Sequence, residues 1–422
     1  MKKIINTKNL IYLTIFGAPL YLIRFELFKI PTNVLEILIG VTFIFWIIEK
    51  NIIEIKKIKI RSLNIQVILS ILSILLGILI SALLNENYKV SFGIFKGWFI
   101  FPIIFGLIVY NKINTSTGMN KLLNSIFLSS FLVSAISLFY YFLENLTFDG
   151  RLTAFYLSPN HLAMFLAPGF LIGSINILDK ERIGKNKLFL LFGTLIILSS
   201  IYLTSSYASW IAIFLALIFS IIILNKTNFI NINFRISFLI FFFIFISFLF
   251  FQQNNSKFQN LINMNERSSS VSRIMIWKVS SEILSDNLIF GIGAGNFQEK
   301  YLEYQKHFSL YLDWAVPQPH NLYLAFWLQG GLLGILGFIW LIYFWIKKTF
   351  KFIWYSKNRQ QKKPAIILLA IIIYFLIHGL VDTPYWKNDL SLIFWIIIFL
   401  GLLTFYKNLS KHPASPRQRL FR

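Results

Sequence analysis

What most constrains this chain is the recurrence of apolar stretches long enough to cross a lipid bilayer. A spanning helix needs ~20 mostly apolar residues, because the hydrocarbon layer is about 30 Å thick and an α-helix rises about 1.5 Å per residue. Such stretches fall near 10–23, 33–48, 63–84, 90–110, 121–143, 159–178, 187–204, 207–224, 236–251, 320–346, 364–381 and 389–406. Inside lipid the backbone has no water to bond, so each stretch is expected to be helical. The expected fold class is therefore an all-α integral membrane protein with about twelve transmembrane helices. Composition agrees: 57% of residues are hydrophobic and 14% charged, where a soluble domain has roughly 45–50% and about 25%. A soluble multidomain enzyme is thereby excluded. The first apolar stretch lacks a small-residue cleavage site and is expected to stay as a span.

Lys and Arg number 40 against 17 Asp and Glu, a net charge of +23. In a soluble protein this would suggest nucleic acid. Here the basic residues gather in 50–61, 180–187, 347–363 and 407–422, the bias typical of cytoplasmic loops. That bias explains the charge with no nucleic-acid partner and places both termini in the cytoplasm. With no Cys, disulfides and thiolate chemistry are excluded. Five scattered His and no HExxH argue against a transition-metal site, so neither metal nor cofactor is expected.

The chain divides into 1–251 with nine helices, a long outer-face loop over 252–319 between helices nine and ten, 320–406 with three more helices, and a basic cytoplasmic tail over 407–422. The loop's six acidic and six basic residues cancel. Loops of that length are uncommon without a function, and this one is expected to be partly helical. Serines at 268–270 are placed to cap a helix over 271–286, where Met275, Trp277, Val279 and Ile283 recur at helical spacing. GIGAGNF at 291–297 lacks the preceding strand and following helix of a dinucleotide loop and reads as a turn. SPNHLA at 158–163 reads as a helix start, with Pro159 in its first turn.

Ionisable residues at the mouth of a membrane bundle are expensive unless used. Lys96, near the outer end of its span, either snorkels to the interface or joins a site. Arg151 is either an interfacial anchor or an anion ligand, since a guanidinium offers a planar fork that suits phosphate. Arg267 and Arg273 lie on the long loop; Arg273 and Trp277 share a helix face, so stacking on the indole is the plain alternative to phosphate binding. Together with Lys96 these make an outer cluster of four cations, which suits a diphosphate better than a neutral ligand. His320, at the start of a span, is either a structural hydrogen-bonding group or a general base. His378 and Asp382, four apart, either pair as an imidazole and its carboxylate or close a helix ahead of Pro384. Gly330, Gly331, Gly334 and Gly337 suit close helix packing.

At His320 a family pattern emerges. His320-Asn321, nine residues, Gly331, two residues and Gly334 resemble a signature of the O-antigen ligase and O-antigen polymerase family. GRLTAFYLSPNHLA around Arg151, SRIMIW followed by GIGAGNF, and HGLVDTP also resemble family segments in the family's order, and the resemblance covers roughly residues 60–400. It implies a metal-independent glycosyltransferase in the bacterial inner membrane with its site facing the periplasm. Such an enzyme moves a preassembled glycan from an undecaprenyl-diphosphate carrier to an acceptor hydroxyl, on lipid A–core for a ligase or on another lipid-linked glycan for a polymerase. His320 would be the general base. Arg151, Arg273, Arg267 and Lys96 would hold the diphosphate, with Asn321, His378, Asp382 and Tyr207 in support. The chain departs from the pattern at Ser206-Tyr207-Ala208, where family members commonly carry Ser-Arg-Gly. The rival class is a polysaccharide flippase or other secondary transporter. Transporters place ionisable groups near the midplane, often in two related halves, whereas here the unusual residues gather at one face.

Overall fold

The computed structural model describes residues 6–27, 30–49, 63–85, 87–178, 184–231, 242–243, 246–247, 249–254, 256–263, 268–308, 316–356 and 359–406. Helix α1, Thr7–Phe16, ends at Gly17, and a 3-10 turn over Ala18–Leu22 carries Pro19 in its first turn. Proline has no N–H to continue an α-helix, so the expected span over 10–23 stops after ten residues. Next comes an antiparallel hairpin, β1 Arg24–Leu27 paired with β2 Ile30–Asn33, Arg24 facing Asn33. Helix α2, Val34–Ile48, has 15 residues and is capped by the Asn33 side chain. Then follow α3 Ile65–Leu83, α4 Tyr88–Lys112, α5 Ser116–Phe142, α6 Pro159–Ile177, α7 Lys185–Leu203 and α8 Tyr207–Lys226. Three shorter helices come next: α9 Ser256–Ile262, α10 Ser269–Asp286 and α11 Phe297–Tyr304. The chain closes with α12 Leu322–Tyr355, α13 Arg359–His378 and α14 Asn388–Tyr406.

Among the described residues, nine of these helices are long and apolar enough to cross a membrane. The all-α membrane class is therefore correct, but the count of twelve is not reproduced. Residues 10–23 and 33–48 form helices too short for that count, and the expected span at 236–251 lies mostly outside the described residues. The hairpin is a feature that hydropathy gives no reason to expect.

Why the bundle packs as it does follows from small residues and broken helices. In α3, a Cβ on Gly77 would lie 2.5 Å from the Gly330 oxygen and the Gly334 nitrogen of α12, so the two backbones touch. Without a hydrophobic drive between helices in lipid, such contact is what joins them. Helix α14 packs along α4, α13 along α8, and α6 along α5 and α7. Residues Leu390, Ile393, Ile396, Ile397 and Leu400 of α14 are all buried, so this helix is apolar all round because protein surrounds it. A π-helical turn, Phe95–Ile100, interrupts α4 just before Pro102. Proline leaves the carbonyl four residues earlier without its helical donor. That carbonyl, on Trp98, accepts from the Tyr385 hydroxyl at 2.7 Å.

Helix α12 is broken at Gly331, where φ is 62° and ψ is −166°. The chain segment after α10 docks into this break. The Ile292 N–H donates to the Leu328 oxygen at 2.6 Å, and the Leu332 N–H to the Ile289 oxygen at 2.9 Å. The Trp327 indole donates to the Leu288 oxygen at 2.9 Å. The backbone groups freed by the break are thus satisfied, as a low-dielectric setting demands. Ile276, Val279 and Ile283 of α10 pack with Phe297 and Tyr301 of α11 and Leu328 of α12 in a second small core. Ser268 caps α10 by accepting from the Val271 N–H. These contacts fix α10 against the start of α12, and that juxtaposition builds the site.

Gly331→Ala should therefore loosen the whole assembly. Its backbone conformation is close to glycine-only, costing a substituted residue about 1–3 kcal/mol, and a new Cβ would meet the Ile289 oxygen. We expect the melting temperature in detergent to fall by several degrees, while Gly40→Ala, with nothing within 4 Å of its Cβ, leaves it unchanged or raised.

Candidate functional site

The site is assembled at one end of the bundle, around a buried carboxylate. Asp382 sits in the turn between α13 and α14, with its side chain 4% exposed. Its Oδ1 lies 3.1 Å from Nδ1 of His320 and accepts from the Thr383 N–H at 2.9 Å. Its Oδ2 accepts from the Asn160 amide at 2.9 Å and stands 3.6 Å from Nη2 of Arg273. Burial alone would push this carboxyl up. The charge and hydrogen bond of His320, with the charges of Arg273 and His378 behind them, outweigh burial and hold it well below the usual carboxylate range.

His320 stands immediately before α12 in a left-handed conformation, φ 45°, which costs a non-glycine residue about 1–2 kcal/mol. Several contacts hold it there. The Trp277 indole of α10 donates to the His320 carbonyl. Asn321 caps α12 by accepting from the N–H groups of Tyr323 and Leu324, and its amide donates to the Leu380 carbonyl. The Leu322 N–H donates to the Gly379 carbonyl at 2.7 Å. With Nδ1 turned to Asp382, the nitrogen left to accept a proton is Nε2. The ring is one-third exposed and lines a cavity of about 340 Å³.

Arg151, Asn160, Lys257, Arg273 and the serines Ser268, Ser269 and Ser272 line the same cavity. Arg151 is held by its Nε donating to the Thr204 carbonyl at 2.8 Å and its Nη2 to the side-chain Oδ1 of Asn160 at 2.9 Å, with Asp149 at 3.7 Å. Asn160 thus links Arg151 to Asp382, accepting from one and donating to the other. The elbow between α7 and α8 supplies carbonyls in succession: Leu203 accepts from the Leu152 N–H, Thr204 from Arg151 and Ser205 from the Lys257 ammonium at 2.6 Å. Ser205 is itself left-handed, φ 46°, which turns the chain sharply from α7 into α8. Arg273 is less fully engaged. Its Nη1 reaches the Ser269 carbonyl only at 3.4 Å, and its Nε is buried with no hydrogen-bond partner among the described residues.

Of the residues expected to act together, Arg151, Arg273, His320 and Asp382 converge, and Asn321 supports them. Arg267 lies outside the described residues. Lys96 is not with them: its ammonium is 2.9 Å from Glu36 and donates to the Pro31 carbonyl, so it ties α4 to α2 and the hairpin. His378 also takes another place, with Nδ1 bonded to the Tyr374 hydroxyl at 2.7 Å. The imidazole that Asp382 holds is therefore that of His320, 62 residues away in sequence, and not that of His378. Trp277 uses its indole N–H on the His320 carbonyl. Tyr207 does not line the cavity; its ring lies under the Lys257 ammonium, 5.1 Å from it. Asn160 and Lys257 escape the sequence reading. Asn160 looks like any residue of a capped helix start, and Lys257 lies in a polar stretch with nothing to mark it.

Fold and site together define a multi-span membrane protein with a cation-lined cavity beside a His–Asp pair. Residues 192–339 match the O-antigen ligase family, the family that the motifs around His320 resemble. No curated protein matches the chain. The matched stretch contains Lys257, Arg273 and His320, while Arg151, Asn160 and Asp382 lie outside it and join the site through the tertiary fold.

Asp382→Asn keeps the shape and removes the charge that gathers these donors. A carboxyl depressed in the folded state adds stability above its unfolded value, about 4, and loses it progressively as pH falls towards the folded value. The melting temperature of Asp382→Asn in detergent should lie several degrees below wild type at pH 7, and the gap should narrow steadily once the pH drops below about 4.

Proposed function

We propose that this protein is a glycosyltransferase of the O-antigen ligase or polymerase type, which transfers a preassembled glycan from an undecaprenyl-diphosphate carrier to an acceptor hydroxyl at the outer face of the bacterial inner membrane. One observation supports the reading most: His320, backed by Asp382, lines one cavity with Arg151 and Arg273. A proton acceptor beside concentrated, incompletely used donors suits a reaction that takes a proton from a nucleophile while negative charge builds on a leaving group.

In the proposed step, Nε2 of His320 removes the proton from the acceptor hydroxyl as that oxygen bonds to the donor's anomeric carbon. The bond from that carbon to the diphosphate oxygen breaks, and the electron pair leaves with the lipid diphosphate. A single displacement of this kind inverts the anomeric centre. Asp382 holds the Nδ1–H tautomer and stabilises the imidazolium that forms. Arg151 and Arg273 offset the charge on the leaving diphosphate, and in a partly dry site such preplaced charge is effective. This is work that a divalent metal does elsewhere, and added chelator should leave turnover unchanged.

Lipid A–core is the acceptor for a ligase and a second lipid-linked glycan for a polymerase. A deletion strain separates the two, since loss of a ligase strands long polymer on the carrier and loss of a polymerase leaves single repeats on the acceptor. In proteoliposomes supplied with carrier-linked glycan and acceptor, His320→Ala should lower transfer by about 10²–10⁴-fold, the usual worth of a general base. Retention of near-normal transfer by a folded His320→Ala removes the mechanism. Glycan movement across the bilayer without transfer favours a flippase.

A further inference from the structure

We propose that Asn160 is a positioning residue that couples the two halves of this site: through one side-chain amide it fixes the guanidinium fork of Arg151 and tempers the charge that Asp382 presents to His320. The half that concerns Arg151 rests on the diphosphate reading above; the half that concerns Asp382 and His320 does not.

Asn160 lines the cavity and bonds at both ends of its amide. Its Oδ1 accepts from Nη2 of Arg151 at 2.9 Å, and its Nδ2 donates to Oδ2 of Asp382 at 2.9 Å. The two partners dictate that orientation, since a guanidinium has only N–H groups to donate and an ionised carboxylate has only oxygens to accept. They also dictate the residue type. A carboxylate in this place could not donate, an aliphatic chain could do neither, and a hydroxyl would have to reach both partners from one atom. The backbone that presents the amide is firmly held. Ser158 caps α6 by accepting from the His161 N–H, Pro159 occupies the first turn, and the His161 ring stands 3.2 Å from Asp389 of α14.

Each end of the amide has its own consequence. Arg151 is fixed at two points: Nε donates to the Thr204 carbonyl, and Asn160 stops the rest of the fork from turning about that bond. Without the amide the fork is drawn towards Asp149, 3.7 Å from Nη1, and less of its charge faces a ligand. At the other end, Oδ1 of Asp382 stays in place, because the Thr383 N–H at 2.9 Å and His320 at 3.1 Å both hold it. Only Oδ2 loses a donor. More negative charge then remains on the carboxylate beside the imidazole, so the imidazolium is better stabilised and His320 keeps its proton to higher pH. The charged groups facing His320 are Asp382 from the turn after α13, Arg151 and Asp149 from the connection between α5 and α6, Lys257 of α9 and Arg273 of α10. Replacing the neutral amide leaves all of them in the cavity and alters only how two of them are held.

The test uses the full chain in nanodiscs and two readouts. One is the affinity for a probe, farnesyl diphosphate esterified to N-acetylglucosamine. The other is the titration of the His320 imidazole, followed by NMR on protein with labelled histidine and assigned by the signal lost in His320→Gln. Asn160→Leu, similar in size and without polar atoms, should bind the probe about tenfold more weakly, the worth of one charge-assisted hydrogen bond. Its His320 midpoint should move up by about 0.5 in pH. Asn160→Ser leaves room for a water where the amide stood and guards against a folding defect; it should move both readouts the same way by less. In an Asp382→Asn background, Asn160→Leu should no longer move the His320 midpoint, and in an Arg151→Ala background it should no longer weaken the probe. The inference is overturned if either readout of Asn160→Leu stays at the wild-type value, or if either change persists once its partner has been removed. No probe binding by wild type sinks the diphosphate reading, and the Arg151 half with it, while the titration still decides the half that concerns Asp382 and His320.

Discussion

The arrangement depends on one buried negative charge. Asp382 is almost fully enclosed, and a carboxylate taken out of water is tolerable only when its oxygens are well supplied with donors. Here the donors come from three separate parts of the chain, His320 at the start of α12, Asn160 in the first turn of α6 and Arg273 on α10, together with the backbone of the adjacent Thr383. Satisfying the charge therefore draws these elements to one point. The same charge turns Nδ1 of His320 towards it, and through Asn160 it reaches Arg151.

Some of the chain's backbone strain lies at the same place. His320 and Ser205 both adopt left-handed backbone conformations, and Gly331 breaks α12. Each departure has a use that can be read from its neighbours. The turn at Ser205 aims consecutive carbonyls at Arg151 and Lys257. The break at Gly331 admits the segment after α10, and so fixes Arg273 and Trp277 beside His320. The conformation of His320 presents its carbonyl to Trp277 while the ring reaches Asp382. Backbone strain persists where surrounding contacts over-determine it: His320 and Ser205 each accept a hydrogen bond from another element, and the residues flanking Gly331 pair with the segment after α10.

Other charges in the bundle hold it together and stay out of the cavity. Lys96 and Glu36 join α4 to α2, and Lys112 joins the far end of α4 to Glu49 beyond α2. His161, next to Asn160, stands 3.2 Å from the buried Asp389 at the start of α14, with the Tyr21 hydroxyl 3.4 Å away. That pair locks the first turns of α6 and α14 together, and so sets the position from which Asn160 reaches Asp382. A cation in a membrane protein is thus defined by what already neutralises it. Lys96 has a carboxylate of its own, whereas Arg273 retains an unused buried N–H.

Sequence by itself determined the class of the molecule, because apolar length and helical spacing are local properties that lipid makes compulsory. It also singled out Arg151, Arg273, His320 and Asp382, since charged and imidazole groups at the ends of apolar helices stand out against their surroundings. It expected a longer first helix than forms, since Gly17 and Pro19 cut that apolar run short, and it offered His378 as one possible partner of Asp382 because four residues on a helix are neighbours. Only the tertiary structure decided that Asp382 turns instead to His320, that Lys96 belongs to Glu36, and that Asn160 and Lys257 complete the cavity. Each of those outcomes depends on which helices lie side by side. That is set by glycine contacts such as Gly77 on Gly334 and by the docking at Gly331, interactions between residues far apart in the chain whose partners no local pattern names.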